Sequence, residues 1–385
     1  MNSPYTGREQ TATKHFILKS YLQTLTYKLF LGGHTALTYV DGFSGPWETR
    51  TESFSDTSFM IAIDVLKNAH FEFLKANPAR TTKCFFAEKD PKAYARLTDA
   101  VQKYHMPDQG FHVETFSGRF EDAVPRIIEF VGKSFALIFI DPTGWTGYPY
   151  DTIAPVLRHT PSEVLINFMY DHINRAAAMN DPKTVASLNK ILGGPGWKDR
   201  IVGDIPLGQE IERMFRQELQ KVGSYEFVLS TCIEKSTADR PHFFIAYGTR
   251  KFAGLKAFRE IEHKALRDHQ RLRSKAKHNK KEARTGQSDM FASDIADADS
   301  SMEAEFASQK QAAKHWVTNE LKTRGVPLSF QELTILVLQQ FMVRETDIKD
   351  VCVELAKEGL IEASWKTEMP PKRKPSSTSK IKVKV

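Results

Sequence analysis

Cysteine is scarce in this 385-residue sequence: Cys84, Cys232 and Cys352 stand alone, with no CxxC and no histidine at metal-ligand spacing. That excludes a disulfide framework and gives a zinc site no support, so no metal is expected and the three read as small buried apolar groups. Long apolar runs are missing as well. None reaches the roughly 18 residues a membrane-spanning helix needs, and the opening MNSPYTGREQ lacks the charged-then-apolar plan of a secretory signal. No membrane and a cytoplasmic location are therefore expected. The dinucleotide pattern GxGxxG is also absent. What remains is an ordinary globular composition, 41% apolar and 11% aromatic, in a chain long enough for two or three domains.

The net charge of +7 is unevenly spread. Residues 1–249 sum to about −1, whereas Arg250–Arg284 carries thirteen Lys/Arg against four acids, and the stretch from Pro370 onward carries six Lys/Arg and no acid. Between these blocks, Ser288–Phe306 holds six acids and no base. Such a composition buries too little apolar surface to offset its ordering entropy. It is expected to be a linker.

Along residues 1–249, short apolar β-rich runs alternate with helical stretches. Strands are expected at 37–43, 83–87, 111–116, 135–140, 163–168, 225–231 and 242–247, with helices at 13–30, 57–76, 91–104, 120–131 and 150–157. FALIFI and EVLINF are apolar nearly throughout, which suits strands covered on both faces of a mostly parallel sheet. The alternation predicts an α/β fold with a doubly wound, seven-stranded, mostly parallel sheet. Its last two strands are expected to form a hairpin without a crossover helix, the layout of class I methyltransferases.

In such sheets, ligands bind outside the carboxyl ends of the strands. Strand one ends in VDGFSGPW, where Asp41 is followed by Gly42, Phe43, Ser44 and Gly45, a turn that lets backbone approach a ligand closely. This resembles the first motif of S-adenosylmethionine (SAM) enzymes, with Asp41 facing the ligand's ammonium group, although Trp47 stands where a glycine is usual. A plain strand-to-helix turn is the alternative. Strand two ends in FFAEKD, placing Glu88 to accept ribose hydroxyls, with Asp90 before Pro91 the better helix cap. Strand three leads into Ser117, Gly118 and Phe120, whose ring either lies near an adenine or packs its own helix. Strand four delivers Asp141 and Pro142, with Trp145 close behind. That segment, DPTGW, resembles the DPPY-type motif of enzymes that methylate exocyclic amines of nucleobases. The resemblance implies that Asp141 and the Pro142 backbone orient the amine while Trp145 stacks on the base. Thr143 departs from the motif, and a helix-capping role is the alternative for Asp141. After strand five, INFMYDHINR adds Asn167 and Arg175 as substrate contacts, Arg175 for a phosphate or for a surface ion pair.

Taken together, KHFILKSYL, YVDGFSGPW, DTSFMIAIDVL, FFAEKD, FIDPTGW, EVLINFMYDHINR and FFIAYGTRKFAGLKAF resemble the three-Cys-motif partner (TcmP) family over about residues 13–260. The resemblance implies a bacterial, class I SAM-dependent methyltransferase-like protein with SAM as cofactor. It also implies a partner bearing the three-cysteine motif.

Downstream, KHWVTNELKTRG, SFQELTILVLQQF and RETDIKDVCVELAKEGLIEAS carry three helical patterns, and LIEASW reads as a short wing strand. This resembles a winged helix, whose third helix enters a major groove. Here that helix is rich in acids, Asp347, Asp350, Glu354 and Glu358, so protein–protein packing is an equal alternative. The basic helix with Lys275, Lys277, Lys280 and Lys281 and the basic tail suit phosphates better, a solvated face being the other reading. The expected organisation is thus residues 1–284 as a methyltransferase-like domain ending in a basic helix, 285–308 as an acidic linker, 309–368 as a winged-helix-like domain and 369–385 as a disordered basic tail. The expected activity is SAM-dependent methylation of a nucleobase exocyclic amine in DNA or RNA. A non-catalytic adaptor binding nucleic acid or protein is the alternative.

Overall fold

The structure, a computed structural model, describes residues 3–46, 49–77, 79–179, 181–202, 205–285 and 291–384. Trp47 falls outside the described residues. Two units emerge, Met1–Lys251 and Phe252–Val385.

In the first unit the chain runs α1 (Glu9–Leu31), β1 (Ala36–Asp41), α2 (Ser58–Leu74), β2 (Thr81–Glu88), α3 (Pro91–Val101) and β3 (Phe111–Ser117). It continues through α4 (Phe120–Val131), β4 (Phe135–Ile140), α5 (Tyr150–Arg158), β5 (Ser162–Phe168), α6 (Tyr170–Ala177), α7 (Pro182–Asn189), α8 (Leu207–Gly223), β6 (Phe227–Glu234) and β7 (Pro241–Thr249). The sheet order is β3-β2-β1-β4-β5-β7-β6. All neighbours are parallel except β7, which is antiparallel to β5 and β6. This is an α/β, Rossmann-like fold, as the alternation predicts.

Burial explains why the apolar runs became strands. Every residue of β4 and β5 is buried, because α4, α5 and α8 cover one sheet face with Ile127, Ile153, Leu157 and Phe215, while α1 and α2 pack together beyond the other. Short polar side chains fix the helix starts. Asp90 accepts from the Ala93 N–H at 2.8 Å with Pro91 in the first turn, and Thr57 caps α2. Strand order reverses between β2-β1 and β4, so a crevice opens beyond the carboxyl ends of β1 and β4. A buried polar knot sets the position of α1 over the sheet: Tyr21 donates to Glu163 at 2.6 Å, and Thr249 donates to the other carboxylate oxygen at 2.7 Å. Lys14 lies two turns nearer the helix start, and that is how it comes to the strand ends.

The second unit contains α9 (Phe252–Thr285), α10 (Phe291–Arg324), β8 (Leu328–Ser329), α11 (Phe330–Gln340), α12 (Glu345–Lys357) and β9 (Lys380–Ile381). Four expectations change here. The basic helix belongs to this unit, so the boundary falls at 251 and not at 284. The acidic stretch expected as a linker, residues 285–308, is helical from Phe291 on; residues 286–290 lie outside the described set. Its acids meet the bases of α9, with Arg271 on Asp299 at 2.6 Å and Arg267 on Glu303, while Phe306 stacks on His263 at 3.6 Å. Charge that forbids a compact state in isolation is neutralised by the neighbouring helix. The tail expected to be disordered supplies β9, antiparallel to β8, with Ile381 fully buried. The wing strand expected at LIEASW is reduced to a bridge from Ile361 to Val383. Acids of α12 and the one just after it are engaged within the unit: Glu354 with Lys310, Asp350 with Lys374 and Glu358 with Lys314.

Candidate functional site

Two clefts open at the carboxyl ends of the strands, and both include Phe43, Asp141 and Thr143. The first, of about 260 Å³, is walled by Gly42, Glu88, Gly118 and Phe120 among others. Its floor depends on the absence of side chains. A Cβ on Gly42 would stand 2.6 Å from the Phe120 ring, and one on Gly118 would stand 2.6 Å from Phe116. Phe120 thus packs directly on the β1 turn, as the helix-packing reading expects, and it also forms part of the cleft wall. Glu88 is 3% exposed at the tip of β2 and accepts from the Asp90 N–H at 2.7 Å. Ser117 is exposed and lines neither cleft.

Asp41 differs from expectation. Its carboxylate is fully buried and accepts from the Ser58 hydroxyl at 2.7 Å and the Phe43 N–H at 3.0 Å. Burial pushes its carboxyl up to about 6, with those hydrogen bonds pulling the other way. It lines neither cleft. Its role is to hold the 41–45 turn, aided by Ser44, whose N–H reaches the Ala87 carbonyl at 2.9 Å and whose hydroxyl donates to the Asp41 carbonyl at 2.9 Å. Gly45 faces the second cleft.

Asp141 is the junction of the two clefts. One oxygen pairs with the Lys14 ammonium at 2.5 Å, and the other accepts from the Asn167 amide at 2.7 Å. The helix-cap alternative fails, since the next helix, α5, starts at Tyr150 behind Pro149. Pro142 lines the second cleft. Trp145 does not line either: its indole N–H donates to Ser187 at 2.8 Å and its ring packs on the core. Among the described residues, the Phe, Tyr or Trp side chains that reach the second cleft are Phe43 and Phe243. Arg175 sits on α6, donates to the Asp171 carbonyl at 3.0 Å and lines neither cleft. Lys275, Lys277, Lys280 and Lys281 are exposed on α9, in the second unit.

The second cleft, about 350 Å³, brings in residues the sequence reading passed over. Besides Lys14 these are Arg8, His15, Asp56 and His242. Arg8 pairs with Asp56 at 2.9 Å. Burial alone would raise the Asp56 carboxyl, but hydrogen bonds from Thr49, the Arg50 N–H, Thr51 and Arg8 draw it down to about 2. Burial takes His15 down to about 3, leaving it neutral near pH 7. Among the described residues, no group of three or more His, Cys, Asp or Glu could hold a metal ion, and no helix is long and apolar enough to cross a membrane.

No family model matches the chain, and no curated protein matches it. Among solved structures, it is similar to a protein from Legionella pneumophila strain Philadelphia 1 described under the family model DUF519. The two share 14% sequence identity over 66% of this chain and 90% of that one, with a TM-score of 0.37.

Proposed function

We propose that the first unit is a class I SAM-dependent methyltransferase of TcmP type, acting on an exocyclic amine of a nucleobase in nucleic acid. The observation that carries this reading is the pair of adjoining clefts at the reversal point of a β3-β2-β1-β4-β5-β7-β6 sheet, joined at Asp141. A cofactor and a second reactant need such neighbouring sites. The residues of the first cleft fit SAM: Glu88 suits the ribose hydroxyls, and Gly42 and Gly118 leave room for close backbone approach beside Phe120. SAM supplies an electrophilic methyl group there. Asp141 and Pro142 border the second cleft, where a carboxylate accepting from an amine orients its lone pair. The exposed lysines of α9 and those of the tail supply phosphate contacts, and the helices of the second unit are read as winged-helix-like. A three-Cys-motif protein is the proposed partner.

A non-catalytic adaptor is the second reading, and two observations favour it: both Asp141 oxygens are already engaged, and Trp145 faces Ser187. Calorimetric titration with SAM, followed by transfer of labelled methyl to mixed DNA and RNA, separates the two. Binding with transfer is expected; absence of SAM binding would leave the adaptor.

A further inference from the structure

We infer that the second cleft is a pocket for an uncharged amino group, with the Asn167 carbonyl oxygen as an acceptor for one of its N–H bonds and Lys14 as the residue that bars alkylammonium groups. The inference rests on the methyltransferase reading only for what happens after binding. Asn167 is 2% exposed at the end of β5. Its amide nitrogen is used twice, toward Asp141 at 2.7 Å and toward the Met169 sulfur at 3.3 Å, yet among the described residues its Oδ1 has no hydrogen-bond partner. Turning the amide over would set two oxygens against each other, so the Asp141 bond fixes Oδ1 as the orphan. An unsatisfied buried acceptor is costly and rare in native proteins. The missing donor belongs to whatever enters the cleft that Asn167 lines.

The charges around it decide what kind of donor fits. Lys14 cancels Asp141 at 2.5 Å, Arg8 cancels Asp56 at 2.9 Å, and burial keeps His15 neutral. A second cation beside Lys14 would meet a like charge in a partly desolvated site. A neutral N–H donor meets no such barrier, and Phe43 and Phe243 offer apolar walls to a flat ring. Aminated nucleobases have this chemistry: a neutral amine on an aromatic ring.

The test uses the full chain without cofactor. Short single strands of deoxyadenosine are compared with deoxynebularine, and deoxycytidine with deoxyzebularine, each pair differing by amine against hydrogen at one ring position with the ring nitrogens unchanged. Phosphate contacts are the same within a pair and cancel. Wild type is expected to bind the aminated member about ten-fold or more tightly in at least one pair, since sites built to bond an N–H reject analogues lacking it. In Asn167→Leu, similar in volume, that preference should fall below about two-fold. Equal affinities in both wild-type pairs, or a preference retained by folded Asn167→Leu, would overturn the inference. Should Asn167→Leu fail to fold, Lys14→Met serves instead. Butylammonium should displace the bound oligonucleotide from it at about ten-fold lower concentration than from wild type, and equal concentrations would overturn the inference. Calorimetry with SAM reports separately: amine preference without SAM binding sinks methyl transfer and keeps this pocket, and the converse sinks the pocket alone.

Discussion

Asp141 carries the methyl-transfer reading at the scale of single residues. Asp141 borders both clefts, but Asp141→Ala leaves Glu88, Gly42 and Gly118 in place in the first, so SAM affinity should stay nearly unchanged while transfer of labelled methyl is lost. Transfer by a folded Asp141→Ala protein would end the catalytic assignment. Asp56 offers a pH test. Its carboxyl is drawn below its unfolded value to about 2, so its contribution to stability is present above the unfolded value, near 3.9, and is lost as pH falls through about 2. The gap in urea midpoint between wild type and Asp56→Asn should therefore shrink on acidification from about pH 4 to about pH 2. A gap that stays constant would mean that the hydrogen bonds from Thr49, the Arg50 N–H, Thr51 and Arg8 do not hold the Asp56 carboxylate in solution. The opposite sign holds for Asp41, raised to about 6 by burial: its contribution is present below the unfolded value and lost as pH rises through about 6.

Between elements, the packing of Phe120 from α4 on the β1 turn is the contact most open to test. Gly42→Ala places a methyl 2.6 Å from the ring and should destabilise by about 1–3 kcal/mol, as overpacking does. Phe120→Leu in the same chain should recover part of that loss, and strict additivity by urea unfolding would show the two do not touch. Much of this level was legible in the sequence, because buried parallel strands write themselves as unbroken apolar runs and caps as Asp-Pro or Thr before a helix. Lys14 was not legible: its pairing with Asp141 spans two distant segments and exists only once α1 is fixed by Tyr21 and Glu163. Trp145 misled because nearness to Asp141 in sequence says nothing of where an indole N–H finds its acceptor. The tail did carry a signal, Ile381 and Val383 alternating with lysines at the period of a strand, but its charge dominated the reading. The acidic stretch was judged by its own composition, when its bases lay one helix upstream.

For the molecule as a whole, each unit has its own core, and Met1–Lys251 expressed alone should unfold cooperatively on heating and, on the proposed function, bind SAM with the affinity of the full chain. Loss of cooperative unfolding in that fragment would mean the units are not independent. On the proposed function the phosphate contacts lie in the other unit, so neutralising Lys275, Lys277, Lys280 and Lys281 should flatten the dependence of nucleic-acid binding on salt, and an unchanged slope would clear α9 of phosphate contact. The sheet order has one more consequence, for a chain that is still incomplete. Strand β7 comes last in sequence yet lies between β5 and β6, so β6 has no parent strand until β7 arrives and the pair must dock as a hairpin. Until then β5, buried along its whole length in the finished fold, presents an open apolar edge. Nascent or truncated chains ending between Phe168 and Thr249 are consequently templates for intermolecular strand addition, and they should aggregate where the finished unit stays monodisperse.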